Sequence, residues 1–463
     1  MESQVMRRTA RVWVFVTGAL LLAPLTAAGE RFPLGALGGT GEVEVGEAWV
    51  RVHEVQEGSP LALAGVQVED RLVGLGGVPL PPHGKGVDAG GDGPQRALGL
   101  ALDGACAVED AEARVLRFSV VRGEEALQLT ARLPHRPALG AEDPGPAREA
   151  LRAAAAAQLR KGQRLVGKWE APVGLTGDRW ITAWALVALL EAGAEPDDEQ
   201  LAQAARWLAG PDEQAWVNDD PLTKGPDNLG NWALAATCVA LAEHDLARGM
   251  HEWKPTLERC AAALAARCSE EGRYGHDVIT GYDGKGLNVI NCLAHLAWER
   301  CEAAGAAIDR AAWDRSLASL RASIDPNGGM RYWTMKGTGT GDATLRTASL
   351  ALALGRAGEG DEFLGTLLDY LERHPARARE AHAMGTPGLM LTPHALATRS
   401  PEARQAFLEE WRWYLALMRG PDDRLHYIGG KGNNGGDSYL GFGQVAAVTA
   451  LMMLAEPRKP AGH

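Results

Sequence analysis

Six glycine-led stretches of nearly continuous apolar sequence recur along this chain, starting roughly every 50 residues. They begin at Gly177, Gly230, Gly286, Gly341, Gly388 and Gly429. The last passes from a polar glycine-rich loop through Asp437 into Val445–Leu454, which is apolar on every side. A helix with no polar face is a buried helix, and these runs are too short and too rich in alanine and glycine to need a bilayer. The fifth copy is the poorest, because Pro393 interrupts it. Amphipathic segments lie between the copies, at 148–162, 197–209, 252–268, 308–322, 361–373 and 401–418. In one of them Ile308, Ala312, Leu317 and Leu320 share a face. Outer amphipathic helices alternating with inner buried ones predict an (α/α)6 toroid over 148–457. Its outer-to-inner connections are long and must all open on one face (164–177, 210–229, 269–285, 323–341, 374–387 and 419–436). Long loops on a rigid scaffold are where a site is built.

The chain therefore reads as multidomain. Residues 1–28 have the form of a secretory signal: Arg7, Arg8 and Arg11 precede the apolar run Val12–Leu25, and Thr26-Ala27-Ala28 offers small residues for cleavage. The expectation is a secreted or periplasmic protein with no membrane span once the signal is removed. A net charge of −12 without a basic cluster argues against nucleic acid as a partner. The six cysteines contain no C-x-x-C pair, and no metal or other cofactor is expected. Cys238 and Cys292, on neighbouring inner helices and within reach of each other on that arrangement, are read as small core residues.

Residues 30–134 have a different texture, with short alternating strands, glycine turns and one helix near 94–104. A Pro/Gly linker follows at 135–147, so this region is expected to fold by itself. Its run Val55-Gln-Glu-Gly-Ser-Pro-Leu-Ala-Leu-Ala-Gly-Val-Gln-Val-Glu-Asp-Arg-Leu-Val-Gly-Leu-Gly-Gly77 and the hairpin Val120–Leu133 resemble a bacterial PDZ domain. That resemblance places the carboxylate-binding loop at Leu34, Gly35, Ala36 and Leu37, and implies a peptide C-terminus or extended peptide as partner. Two departures stand out: a long glycine-rich insert at 81–95, and Gly38, Gly39 and Gly41 in the groove strand, which weaken pairing. A domain that only docks on its neighbour is the other reading.

The helical part resembles the terpenoid-cyclase and protein-prenyltransferase superfamily. The whole chain resembles bacterial exported proteins of unknown function that join a PDZ domain to such a toroid. The superfamily's chemistries can be tested on residues. Prenyltransferases place Asp-x-Cys after a glycine-rich loop to hold zinc; here Asp437 is followed by Ser438 and Tyr439, which removes the thiolate. The acidic proton donor of terpene cyclases has only a poor counterpart in Asn218-Asp219-Asp220-Pro221, and no thioester motif is present. Carbohydrate in the loop-lined funnel is left as the partner class, either bound or cleaved by paired carboxyl groups. The catalytic candidates are Asp219, Asp220, His276, Asp277, Asp342 and Asp437. The ligand-binding candidates are Trp169, Trp216, Tyr332, Trp333, Tyr427 and Asn434. Asp178, Asp342 and Asp437 also suit helix N-caps, and loop tryptophans also suit the closing of barrel ends.

Overall fold

The computed structural model describes residues 29–89, 91–172, 175–210, 230–276, 286–333, 343–380, 385–429 and 442–456. The N-terminal part is one antiparallel sheet. Its strands are β1 (Glu30–Pro33), β2 (Gly39–Val43), β3 (Val50–Val55), β4 (Arg71–Leu75), β5 (Val78–Pro79), β6 (Val115–Arg122) and β7 (Glu125–Arg132). They lie in the order β1-β2-β3-β4-β6-β7, with β5 folded back on β4. Alternation sets the faces: Val50 and Val52 are buried while Arg51 and Glu54 between and beyond them reach towards solvent. Helix α1 (Pro60–Leu63) starts where the Ser59 hydroxyl accepts from the Ala62 N–H. Helix α2 (Gly93–Cys106) buries Leu98, Leu102 and Cys106.

The C-terminal part comprises α3 (Gly145–Gly162), α4 (Leu175–Glu191), α5 (Glu199–Ala209), α6 (Gly230–Arg248), α7 (Lys254–Arg267), α8 (Asn288–Ala303), α9 (Arg310–Ala322), α10 (Thr344–Arg356), α11 (Glu362–Arg373), α12 (Gly385–Arg399), α13 (Pro401–Met418) and α14 (Phe442–Leu454). Each of α4, α6, α8, α10 and α12 packs on the next even-numbered helix, and α14 returns to α4. A closed ring of inner helices results, with the odd-numbered helices outside it. This is an α/α toroid. Asp198, Asp309, Asp361 and Ser400 cap four of the outer helices with side-chain oxygens. Pro393 does not interrupt α12, which runs through it; the helix is buried on every side from Gly385 to Leu396, and that packing outweighs the local penalty.

Four outer-to-inner connections open with the same turn. The first residue's N–H donates to the carbonyl four residues on, and the fourth residue's N–H donates back to the first carbonyl. The pairs are Arg164 with Lys168 and Gly167, Ser269 with Arg273 and Gly272, Asp325 with Gly329 and Gly328, and Gly420 with Arg424 and Asp423. The fourth residue has a positive φ in every case: 94°, 75°, 90° and 66°. Glycine is required twice over in the first three. A Cβ there would lie 2.5, 2.2 or 2.8 Å from the carbonyl oxygens of Gln203, Arg315 and Thr366, on the next outer helices α5, α9 and α11. Two residues further on, each turn sets an anchor into the core: Trp169, Tyr274, Met330 and Leu425, none more than 2% exposed. The Trp169 indole N–H donates to the Leu159 carbonyl, and the Tyr274 hydroxyl to that of Leu264, both at 2.8 Å. These two aromatic anchors thus tie their turns to the outer helix just completed.

Towards the C-terminal ends of the inner helices the described residues pack closely across the ring. At the C-terminal ends of the inner helices the Glu243 carboxylate accepts from Arg300 and Arg356 at 3.3 and 3.2 Å, and His394 bonds to the Met452 carbonyl. The space between Trp184, Glu191, Glu243, Arg356 and His394 is only about 10 Å³, room for one water. Burial, with Arg356 nearby, pushes the His394 pKa down to about 4, and burial alone takes His295 to about 3. Cys238, Cys260, Cys292 and Cys301 are all buried as small core residues on α6, α7 and α8, which pack on one another.

Two predictions follow from this packing. Gly272→Ala should destabilise the protein by at least about 2 kcal/mol, from the left-handed backbone and the collision with Arg315 together; urea denaturation measures it, and an unchanged midpoint would remove the turn from the argument. Between pH 6.5 and about 4 the unfolded chain protonates its histidines while buried His295 and His394 stay neutral. Stability should therefore fall as pH falls through that window. His295→Gln should flatten the slope by up to about 1.4 kcal/mol per pH unit.

Candidate functional site at the mouth of the ring

The outer-to-inner connections place all inner-helix N-termini at one end of the ring, and two of them are finished in the same way. The Asn231 N–H donates to the His276 carbonyl and its side-chain amide to that of Gly275. The Asn288 N–H donates to the Tyr332 carbonyl and its side chain to that of Arg331. An asparagine that opens an inner helix thus fixes the following connection, and with it the residues that face the mouth. Between these anchors runs an aromatic arc. Trp180 meets Trp184 and Trp232 edge to face, with ring centroids 5.6 and 5.5 Å apart. The Trp232 indole N–H donates to His276 Nδ1 at 2.9 Å, which leaves the proton of a neutral imidazole on Nε2. Tyr332 and Trp333 are paired edge to face at 4.4 Å, with the Arg346 guanidinium over the Tyr332 ring. The three tryptophans are buried, while His276, Tyr332 and Trp333 are half-buried and offer the reachable edge of the arc.

The residues expected to form a site divide sharply. His276, Tyr332 and Trp333 lie on this arc. Trp169 does not: it is fully buried as a turn anchor, as is Tyr274, because its position two residues after the left-handed glycine points it into the core. Tyr427 lines a cleft between the two domains instead. Asp178 is in the first turn of α4 rather than at its cap; it accepts from Lys168 Nζ and the Ala171 N–H at 2.6 Å each and so holds the preceding connection. Asp219, Asp220, Asp277, Asp342, Asp437, Asn434 and Trp216 lie outside the described residues. Trp180, Trp184 and Trp232 were not singled out as site residues. The signal for Trp180 and Trp232 is their place in the first turn of the first two glycine-led copies, where an inner helix meets the mouth; Trp184 lies one turn deeper on the same face of α4.

A second cluster joins the domains. Arg379, 1% exposed, sits on the short 3-10 segment Pro375–Glu380 within the connection from α11 to α12. It pairs with Glu30 of β1, with Asp92 before α2 at 2.7 Å, and with the Gly429 carbonyl at 2.8 Å. His83 Nε2 stands 3.5 Å from Glu30. Glu30, His83 and Asp92 together have the donor set of a metal site, but the guanidinium bridging the two carboxylates already supplies the positive charge. Around it, the insert at 81–95 grips the same segment: Arg377 pairs with Asp88, and the Glu380 carboxylate accepts from the Val87 N–H. Arg96 of α2 holds Glu410 of α13, and Arg136 reaches the Arg419 and Gly420 carbonyls. The linker is pinned as well, since Asp103 accepts from the Leu139 and Gly140 N–H groups.

Leu34, Gly35, Ala36 and Leu37 fall at this seam. They are buried, in a 3-10 turn packed on α2 and α13. Strand β2, the one expected to pair with a peptide, carries β1 on one edge and β3 on the other. Beside β1 a cleft of about 630 Å³ opens between Arg31, Phe32, Gly38 and Thr40 on one side and Arg424, His426 and Tyr427 on the other.

A closed ring of inner helices with capped connections at one end defines the class: an α/α toroid carrying a docked β domain. The chain belongs to the family described as a domain of unknown function, DUF6288, which it matches over residues 154–460. No curated relative matches the sequence. Among solved structures, the chain is similar to a protein from Actinoplanes (14% identity, 66% of this chain and 98% of that one, TM-score 0.42). It is also similar to a type II terpene cyclase from Scytonema (17% identity, 66% and 97%, TM-score 0.38). A third is a family 76 glycoside hydrolase from a bovine Bacteroides thetaiotaomicron strain (10% identity, 74% and 83%, TM-score 0.40). The toroid assignment rests on the helix packing itself.

Removing Arg379 leaves two carboxylates facing each other at a buried seam. Arg379→Met should cost about 3–5 kcal/mol in chemical denaturation. Adding Glu30→Gln and Asp92→Asn to that variant should recover part of the loss; no recovery would mean that packing rather than charge holds the seam.

Proposed function

We propose that this is an exported binding protein whose toroid takes a carbohydrate at the mouth of the ring, and whose β domain serves to dock on the toroid. The observation that carries the reading is the aromatic arc from Trp180 through Trp232 and His276, with Tyr332 and Trp333 on the next connection. Half-buried aromatic rings at the end of a buried tryptophan cluster suit a sugar, which presents apolar C–H faces. The close packing at the C-terminal ends of the inner helices supports a ligand held at the mouth rather than threaded along the axis. Docking is supported by the burial of Leu34–Leu37 and by the pairing of both edges of β2, which leave the expected peptide strand without a partner edge. Export rests on the leader-like sequence of residues 1–28.

Titrating the full-length protein with a panel of oligosaccharides, followed by tryptophan fluorescence and calorimetry, tests the ligand. Saturable binding to at least one glycan is expected. Trp333→Ala should weaken it at least tenfold, with a melting temperature within a few degrees of wild type. No binding across the panel, or equal affinity in the variant, overturns the reading. Release of shortened glycans in the same panel would add catalysis, with the carboxylates Asp219, Asp220, Asp277, Asp342 and Asp437 on the connections as its source.

A further inference from the structure

The two outer strands of the sheet are finished differently. β1 is four residues long and lies against the toroid, where Glu30 pairs with Arg379. β7 is eight residues long, and its main neighbours are β6 and α1 of its own domain. Its pairing with β6 is unbroken from Glu125 opposite Arg122 to Arg132 opposite Val115, with no bulge. The two-residue loop Gly123-Glu124 closes on a pair that exchanges both of its hydrogen bonds. Beyond the strand the Leu133 N–H donates to the Arg114 carbonyl at 3.1 Å. Odd-numbered residues of β7 thus turn their backbone groups to β6. Ala126, Gln128, Thr130 and Arg132 turn theirs outward, and among the described residues no group is hydrogen-bonded to them. Sheet edges are ordinarily blunted by proline, lysine or a bulge; the run Glu-Ala-Leu-Gln-Leu-Thr-Ala-Arg has none of these.

We propose that β7 pairs antiparallel with β7 of a second copy of this chain, about a twofold axis through Gln128. The strand is complementary to itself in that register. Leu127 stands opposite Leu129 of the second copy, and Leu129 opposite Leu127; both are half-buried in one chain and are covered in the pair. Ala126 meets Thr130 on either side of the Gln128 pair, which gives roughly six backbone hydrogen bonds. At each end Arg132 meets Glu124 of the second copy, so opposite charges close the ladder. Arg132 already holds Glu112 of its own chain at 2.8 and 2.7 Å through its two terminal nitrogens, and its guanidinium keeps further N–H donors for Glu124. Other registers fit less well. A shift by one residue sets outward-pointing groups against inward-pointing ones and loses the ladder. A shift by two sets Arg132 against Ala126 or against Arg122. The interface is one strand wide, which places it among the small and weak ones.

Sedimentation of the full chain from about 1 to about 200 μM spans the range that a small interface calls for. The mean mass should rise from one chain to two. Gln128→Lys and Gln128→Glu each set like charges opposite each other on the axis, and each should weaken association at least about fivefold. Gln128 is exposed and gives up only its bond to Ser119, so both variants should melt within a few degrees of wild type. An equal mixture of the two should associate at least as well as wild type, because opposite charges then meet across the axis. A chain that stays single at every concentration leaves the edge to a strand of a different protein and overturns the proposal. So does a dimer that neither Gln128 variant weakens, or one that the mixture fails to restore.

Discussion

The ring depends on a left-handed residue at the start of its connections. An outer helix and the following inner helix run in opposite directions, and the next outer helix must lie close against the turn between them. At Gly167, Gly272 and Gly328 the backbone takes a positive φ while a carbonyl of that next helix stands where a side chain would begin. One residue therefore solves two problems, reversal of the chain and close approach of neighbouring pairs. The anchor two positions later then fixes the connection's depth. Where the fourth turn has Asp423, the neighbour is different: Arg136 from the linker and Arg419 bind its carboxylate, so the position has acquired a polar role in seating the β domain. Aspartate is one of the few side chains that accept this backbone region readily.

The β domain is seated by charge inside an apolar seam. A single buried guanidinium, Arg379, gathers two carboxylates from one domain and a carbonyl from the last connection of the other. Such a cluster adds little stability over a well-packed apolar seam, but it tolerates no partial removal, which makes the relative placement of the parts specific. The glycine-rich insert at 81–95, a departure from the PDZ-like pattern, is the piece that reaches across to it. The mouth of the ring and the β domain thereby share one connection, that between α11 and α12, so the docked domain helps to set the geometry at which any ligand would enter.

Much of this was legible in the sequence, because periodicity reports burial. Stretches apolar all round could only be inner helices, and amphipathic ones only outer; the outer helices keep to within a few residues of the expected segments. The helix near 94–104 and the final hairpin were equally plain, since burial periodicity, alternation and glycine turns are local signals. His276, Tyr332 and Trp333 were legible as mouth residues because they lie on long connections. Trp169 and Tyr274 looked the same in sequence, yet the left-handed glycine two residues earlier turns them inward.

What only tertiary structure decided is pairing between distant segments. The sequence determined which helices are buried, which are outer and where the chain reverses, because those depend on a residue's neighbours within a few positions. It could not determine that β1 would cover the edge of β2, or that Arg379 would find Glu30 some 350 residues away. Those depend on how the ring's curvature and the docking of one domain on another bring side chains together, and no local pattern encodes that geometry.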